Sequence, residues 1–174
     1  MTFEIYSDIT NRSMTIASRA MRKVLQRKSS ILWAIFGWSV FFINALLLIP
    51  FDGEPFTLDA STVTALLAEV MLLSVLLFQD RFIGMIARKN TLAGTKEYHV
   101  AFGEDSYTVV TAATTSTFRY ELIDALAESQ DYIILLMKKR YAQPLDKRTL
   151  TGGTVEEFKR FLEEKTGKTF RRVK

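Results

Sequence analysis

Residues 31–79 contain two long apolar stretches separated by a short acidic segment. The first stretch, residues 31–50, has no charged residue, and Ser39 and Asn44 are its only clearly polar side chains. A helix of about 20 residues is about 30 Å long, which matches the hydrocarbon core of a bilayer. A soluble protein would have to surround such a helix with its own core, and a chain of 174 residues leaves too little polypeptide for that. The stretch therefore predicts a transmembrane helix.

The second stretch, residues 62–79, carries one acidic side chain, Glu69. Its ten Leu, Val and Phe residues each contribute about −0.5 kcal/mol to insertion. An acidic residue near the centre costs about 3 kcal/mol, so the sum still favours the membrane. We therefore expect a transmembrane hairpin over residues 31–79, with residues 51–61 as the connecting loop.

The charges around this hairpin predict its orientation. Residues 51–61 contain three acidic residues and no Lys or Arg. The segments before and after the hairpin are basic, and they include Arg22, Lys23, Arg27, Lys28, Arg88 and Lys89. Because Lys and Arg are retained on the cytoplasmic side, both termini are expected in the cytoplasm and the loop outside. These six residues are candidates for contacts with the membrane surface or with an acidic partner.

The remaining composition excludes several classes of function. Residues 97–174 contain thirteen basic and twelve acidic residues, so we expect no nucleic-acid partner. The chain has no cysteine and a single histidine, His99, which excludes disulfides, zinc ribbons and thiol catalysis. No set of residues offers a nucleophile with a base, so the sequence predicts a protein that is not an enzyme, with no metal and no cofactor.

Two segments flank the hairpin on the cytosolic side. Residues 1–30 predict a short strand at residues 2–6 and a basic amphipathic helix at residues 11–29. The apolar stripe of this helix fits either the inner leaflet or the cytosolic domain, and the sequence leaves both open. Residues 80–96 predict a cytosolic extension of the second helix, followed by a linker.

Residues 97–174 have a different pattern. Short runs rich in Val, Ile, Tyr, Phe and Thr recur every eight to twelve residues, which is typical of a curled antiparallel sheet. Thr154 and Glu157 form a capping box that predicts a C-terminal helix, and Gly167 is placed to end it. The predicted fold is an α+β membrane protein, in which a transmembrane helical hairpin precedes a cytosolic PH-like (pleckstrin-homology-like) sheet capped by a helix.

Three short motifs lie in this last segment. They are FGEDS at residues 102–106, FRYELIDAL at residues 118–126 followed by Asp131-Tyr132, and Pro144, Lys147, Arg148 and Leu150 before the last helix. On these residues the chain resembles the YcxB-like family of bacterial membrane proteins. The resemblance implies two spans, a C-terminal PH-like module and a location in the bacterial inner membrane, and it implies no established activity.

Polar residues of the hairpin and basic residues of the domain are the candidate sites. Glu69 and Asn44 could form an ion or proton site or an oligomer contact, and the alternative is a protonated Glu69 hydrogen-bonded within the hairpin or to another copy. The basic residues of the domain fit the inner leaflet, an acidic partner or a solvated rim; they are Lys138, Lys139, Arg140, Lys147 and Arg148. The acidic turn at residues 103–105 argues against strong phosphoinositide binding.

These features predict a membrane-anchored, non-enzymatic interaction module that presents a PH-like domain at the cytoplasmic face. Its partners would be the lipid bilayer and either another protein or further copies of itself. One alternative is an immunity-type or regulatory protein whose hairpin binds another membrane polypeptide. A weaker alternative is a small transporter subunit that uses Glu69.

Overall fold

The structure is a computed structural model that describes residues 2–49, 58–92, 94–138 and 141–173. The helices are α1 (Asn11–Val24), α2 (Arg27–Leu47), α3 (Ala60–Lys89) and α4 (Val155–Thr166). The strands are β1 (Phe3–Asp8), β2 (Glu97–Phe102), β3 (Ser106–Thr111), β4 (Thr115–Arg119), β5 (Ile123–Glu128), β6 (Tyr132–Met137), β7 (Tyr141–Asp146) and β8 (Phe170–Arg172). The predicted loop at residues 51–61 lies mostly outside the described residues.

The strands form two four-stranded sheets. The first sheet has the order β1-β2-β3-β4 and is antiparallel throughout. The second has the order β7-β6-β5-β8, in which β8 runs parallel to β5. Alternate side chains of each strand point into the space between the sheets, as strand geometry requires.

A single apolar core fills that space. Val100 and Phe102 of β2 meet Leu135 of β6 and Leu145 of β7 there, and all four side chains are fully buried. Helix α4 closes one end of the core with Phe158 and Leu162. The predicted capping box of α4 is confirmed, since Thr154 and Glu157 bond each other's backbone N–H. The predicted end is confirmed as well, because Gly167 has a φ of 65°, in the left-handed region that glycine tolerates.

Strand β1 belongs to the same sheet as β2. Phe3 pairs with Phe102 at one end of this ladder, and Asp8 pairs with Glu97 at the other. The buried Ser7 hydroxyl accepts a 2.9 Å hydrogen bond from the backbone N–H of Asp146, which ties β1 to β7 in the second sheet. Residues 9–96, including the two apolar helices, are therefore inserted between two adjacent strands of one sheet. The sequence had left open whether β1 joins the sheet.

Helices α2 and α3 are long and apolar enough to cross a membrane. No residue of α2 is buried, and side chains such as Trp33 (70 % exposed) and Leu47 (75 % exposed) face outward. The two helices pack side by side where Gly37 faces Leu76. The backbone of α3 departs from helical geometry at Phe78, near the predicted end of the apolar stretch, and the helix then continues to Lys89 as expected.

Helix α1 packs on the outer face of the second sheet. Ala17, Ala20 and Met21 of α1 are buried against Ile134 and Leu136 of β6. The apolar stripe of α1 therefore covers the sheet, which is the second of the two interpretations left open by the sequence.

The predicted end of α1 at residue 29 is wrong. The helix ends at Val24, because Gln26 leaves helical geometry (φ −109°, ψ 20°) and α2 then starts at Arg27. The N–H groups of Leu25 and Gln26 both bond the carbonyl of Met21, which closes the last turn of α1.

Candidate functional site

A buried ion pair joins the N-terminal helix to the second apolar helix. The carboxylate of Asp80 in α3 is only 11 % exposed, and it accepts hydrogen bonds from Arg22 Nε at 2.8 Å and from Arg22 Nη2 at 2.6 Å. Arg19 Nε adds a longer bond of 3.4 Å to the same carboxylate. The hydrogen bond with Asp80 raises the pKa of the Arg22 guanidinium above its ordinary value. Asp80 was not among the sequence candidates, although its partner Arg22 was.

Two further contacts join α1 to α3 beyond the ion pair. A Cβ on Gly84 would lie 2.6 Å from the backbone N of Thr15, so the two helices touch backbone to backbone there. One turn further on, Arg88 Nη1 donates to Asn11 Oδ1 at 3.3 Å. Asp80, Gly84 and Arg88 are spaced by four residues and therefore share one face of α3. We call α1 and residues 80–89 the α1–α3 junction. The four-residue spacing of a polar, a small and a polar residue at positions 80, 84 and 88 is the sequence signal that could have predicted it.

A basic pocket of about 390 Å³ lies beside the start of α2. Basic side chains of three elements line it, namely Arg22 and Lys23 of α1, Arg27 of α2, and Arg171 and Arg172 of β8. No acidic residue is among the described residues that line it. The pocket brings together sequence candidates with two arginines that were missed, because β8 was not predicted.

The other basic candidates lie elsewhere. Lys28, Lys89 and Lys138 are exposed, and Lys139 and Arg140 lie outside the described residues. Lys147 Nζ is 2.6 Å from Glu128 Oε1 and also donates to the backbone carbonyl of Ser129. Arg148 Nη2 is 2.6 Å from Asp146 Oδ2. Lys147 and Arg148 thus have carboxylate partners within the chain, where they hold the β7–α4 connection.

Glu69 and Asn44 do not hydrogen-bond each other among the described residues. Asn44 Nδ2 donates to the carbonyl of Val40 in its own helix at 2.9 Å. Glu69 Oε2 is buried and has no hydrogen-bond partner in the described part of the chain. An unpaired buried carboxyl oxygen is costly, so Glu69 remains the unusual group of the hairpin.

A cavity of about 760 Å³ opens between the two sheets on the side that α1 and α3 cover. We call it the inter-sheet cavity. Its walls include Met21 of α1, Ala87 of α3, Val109 and Phe118 of the first sheet, and Gln143 of β7. Gln143 is 2 % exposed, and neither atom of its carboxamide has a hydrogen-bond partner in the described chain.

Neither His99 nor any carboxylate cluster provides a metal site in the part of the chain that the structure describes. His99 Nε2 lies 3.2 Å from Glu4 Oε2, and its ring stacks on Tyr6 with the centroids 4.3 Å apart. These contacts place His99 in the β1–β2 ladder as a packing residue.

Comparison with known proteins adds one finding. Residues 102–162 match the family model described as YcxB-like protein. The match covers 61 of the chain's 174 residues. This confirms the resemblance noted in the sequence over strands β3–β7 and most of α4. No curated protein and no solved structure matched the chain.

The three sequence motifs lie within the matched segment, where they hold its turns together. The carbonyl of Gly103 accepts a 2.8 Å hydrogen bond from the Tyr120 hydroxyl, which links the first motif to the second. The carbonyl of Asp131 accepts from the backbone N–H of Lys147 at 3.0 Å, which links the second motif to the third. The family pattern thus marks structural contacts. The α1–α3 junction and 13 of the 22 described residues that line the inter-sheet cavity lie outside the matched segment.

Proposed function

We propose that this protein is a membrane-anchored interaction module of the bacterial inner membrane. Helices α2 and α3 cross the bilayer as a hairpin, and both termini lie in the cytoplasm. The exposed apolar surface of both helices supports this, since such surface is stable in lipid and unstable in water. The acidic loop and the basic flanks support the orientation.

The domain at the cytoplasmic face is PH-like. In chain order it has four strands in one sheet, three more in a second sheet, and a helix that closes the core. That is the order of a pleckstrin-homology-like domain in which the hairpin is inserted after the first strand. Strand β8 is an addition at the edge of the second sheet.

The observation that carries the proposal is the α1–α3 junction. Helix α3 continues from the apolar stretch to the domain, with no loop between them. Asp80 and Gly84 attach this part of α3 to α1. Helix α1 is in turn buried against the second sheet. The domain is therefore held against the membrane surface at a fixed distance, as suits a module that presents one face to a partner.

The basic pocket provides the contact with the membrane. Lys23, Arg27, Arg171 and Arg172 surround the point where α2 begins, and Ile31 of the apolar stretch lines the same pocket. Arginines at this depth bind the phosphate groups of anionic lipids through charge-assisted hydrogen bonds. A protein partner or a second copy would then bind the faces of the domain that point away from the membrane.

The test of this proposal uses the absence of native cysteines. A cysteine is introduced either by Leu58→Cys, at the predicted outer end of α3, or by Glu104→Cys, in an exposed turn of the domain. In intact spheroplasts, a membrane-impermeant maleimide should label Leu58→Cys, and it should label Glu104→Cys only after permeabilisation. The reverse pattern, or release of the intact chain from membranes by carbonate, would contradict the anchoring. Crosslinking in cells followed by mass spectrometry then identifies the partner.

A second candidate function is a small proton- or ion-conducting subunit. The unpaired Oε2 of Glu69 favours it, because intramembrane carboxyls often mark such paths. Two helices cannot enclose a path, so this function requires an oligomer. Proton flux into liposomes that is lost in Glu69→Gln would support it, and equal flux and assembly in both proteins would reject it.

A further inference from the structure

The inter-sheet cavity is lined by a buried glutamine, Gln143, whose carboxamide has no hydrogen-bond partner among the described residues. Gln143 of β7 is paired in register with Leu135, and the next residue on the same face, Leu145, is paired with Ile133. Side chains of paired residues point to the same face of a sheet, and Leu135, Ile133 and Leu145 all belong to the core between the sheets. The side chain of Gln143 therefore points into the space between the sheets, and Gln143 is one of the residues that line the cavity.

Burial of an unpaired carboxamide is rare in folded proteins. Gln143 is 2 % exposed, and both its Nε2 and its Oε1 lack a hydrogen-bond partner among the described residues. Nearly all buried polar groups are paired with protein, water or ligand. A carboxamide presents one donor and one acceptor side by side, so its best complement is a hydroxyl or another group that both donates and accepts.

The rest of the cavity wall is mainly apolar. Ile83 and Ala87 of α3, Met21 of α1 and Phe118 of β4 face it, and the volume of about 760 Å³ falls in the range of sites for small organic ligands, about 300–1,000 Å³. Arg22 is the only charged residue among the described residues that line the cavity, and Asp80 already neutralises it. The wall therefore favours an uncharged ligand over a carboxylate or a phosphate.

We propose that the inter-sheet cavity binds a neutral single-chain amphiphile from the membrane, of the monoacylglycerol type. The acyl chain lies between α1, α3 and the first sheet, and a head-group hydroxyl pairs with the Gln143 carboxamide. The access route is short, because Ile83 and Ala87 lie on the part of α3 that directly follows the apolar stretch. The ligand fills the gap where the two sheets separate and would stabilise the folded state when bound.

The experiment uses the full chain in a steroid-based detergent, which offers no alkyl chain to compete. The probe is a monoacylglycerol with a photoreactive diazirine in its chain. Irradiation should label peptides from α1, α3 or the first sheet, and unlabelled monoolein should compete. Palmitate at pH 8 and phosphatidylglycerol should compete at least about tenfold less well, since a charged head leaves an unpaired charge in the cavity.

Three variants test the contacts. Gln143→Leu removes the polar partner and should weaken binding about tenfold, the value of one buried hydrogen bond. Ala87→Trp places an indole in the cavity and should abolish labelling. The matched control is Gln130→Leu, which makes the same chemical change at an exposed turn and should bind as the original protein does. Thermal unfolding in the same detergent identifies any variant that fails to fold.

Several outcomes would overturn the proposal. It is wrong if Gln143→Leu and Gln130→Leu are labelled equally, or if Ala87→Trp folds and keeps its labelling. It is also wrong if the original protein is not labelled, whatever the stability of Gln143→Leu. Because binding is measured in detergent, the result does not depend on the topology of the hairpin, and the two proposals can fail separately.

Discussion

Gly84 of α3 lies so close to Thr15 of α1 that a Cβ at position 84 would be 2.6 Å from the Thr15 backbone N. Backbone atoms of a helix cannot move aside as the end of a side chain can. The contact therefore requires glycine at this point, and it makes position 84 the sharpest test of the α1–α3 junction.

Gly84→Ala should destabilise the protein by about 1–3 kcal/mol, the usual cost of overpacking. At about 2–4 °C per kcal/mol, the Tm in detergent should fall by several degrees. Gly37→Ala is the matched control. The nearest atom to its Cβ would be Leu76 Cδ2, at 2.6 Å, which can rotate away, so its Tm should stay equal or rise. Equal losses in both variants would show that the α1–α3 contact has no special role.

Asp80→Asn should also weaken the junction. It leaves the half-buried guanidinium of Arg22 without its counter-charge and removes charge-assisted hydrogen bonds worth about 1.5–3 kcal/mol. Asp80→Asn combined with Arg22→Met should recover part of this loss, because the unpaired charge is then gone. The measurement is a double-mutant cycle on the free energy of unfolding, and additive losses in the double variant would argue against direct coupling.

Removal of residues 27–79 should leave a folded domain. Arg22 contacts Asp80, so a Gly-Ser linker of about six residues can join residue 26 to residue 80. The shortened chain keeps both sheets and the α1–α3 junction, and it loses α2 and the apolar part of α3. We expect it to be extracted without detergent and to unfold cooperatively. A shortened chain that stays in the membrane fraction, or that unfolds without a transition, would show that the domain depends on the hairpin.

Arg171→Gln with Arg172→Gln should reduce the anionic lipid that co-purifies with the full chain. Each basic residue near the surface contributes about 1 kcal/mol to binding of anionic lipid, so together they should change the bound amount several-fold. Arg119→Gln, an exposed arginine in the first sheet, is the control and should have no effect. Lipid mass spectrometry of the purified proteins provides the readout, and an equal lipid content in all three would contradict the role given to the basic pocket.

Acid should destabilise the domain through Asp146 and Glu128. The hydrogen bond from Arg148 lowers the pKa of Asp146 below its ordinary 3.8. Burial acts to raise the pKa of Glu128, but the hydrogen bonds of Lys147 and Lys159 outweigh it and lower this pKa below 4.5. A carboxyl with a lower pKa in the folded state stabilises the fold above its unfolded pKa, and that stability is lost as the pH falls through the folded value.

The Tm should therefore be steady from pH 7 to about pH 5 and decrease below about pH 4. Asp146→Asn with Glu128→Gln should lower the Tm at pH 7 and flatten the acid response. Asp124→Asn, at an exposed position, should keep the original pH profile. An unchanged profile in the double variant would show that other carboxyl groups cause the acid response.

Local patterns explain which elements were predictable from sequence. Strands β2 and β3 were predictable, because buried side chains recur at every second position within each strand. The helix α4 was predictable from its capping box alone. By contrast, β8 contains the pair Arg171-Arg172 and only three residues, so nothing local marks it as a strand.

The candidate site was less predictable because it depends on contacts between distant segments. Arg22 was singled out for its charge, but its partner Asp80 lies 58 residues further along the chain. Gln143 was unremarkable in sequence, since only the separation of the two sheets under α1 and α3 leaves its carboxamide unpaired. The acidic residue of the hairpin, Glu69, could be identified from sequence, whereas its lack of a hydrogen-bond partner among the described residues could not.

The pairing of β1 with β2 affects the order of events during synthesis. Strand β1 leaves the ribosome before β2, its neighbour in the sheet, which follows only after residues 9–96 have been translated. At a translation rate of about 5–20 residues per second, Phe3 and Ile5 remain without their partner strand for roughly 4–18 s. Both apolar helices emerge in that interval, so they can enter the bilayer before the first sheet closes. On the proposed anchoring, translation order therefore allows membrane insertion to precede closure of the first sheet.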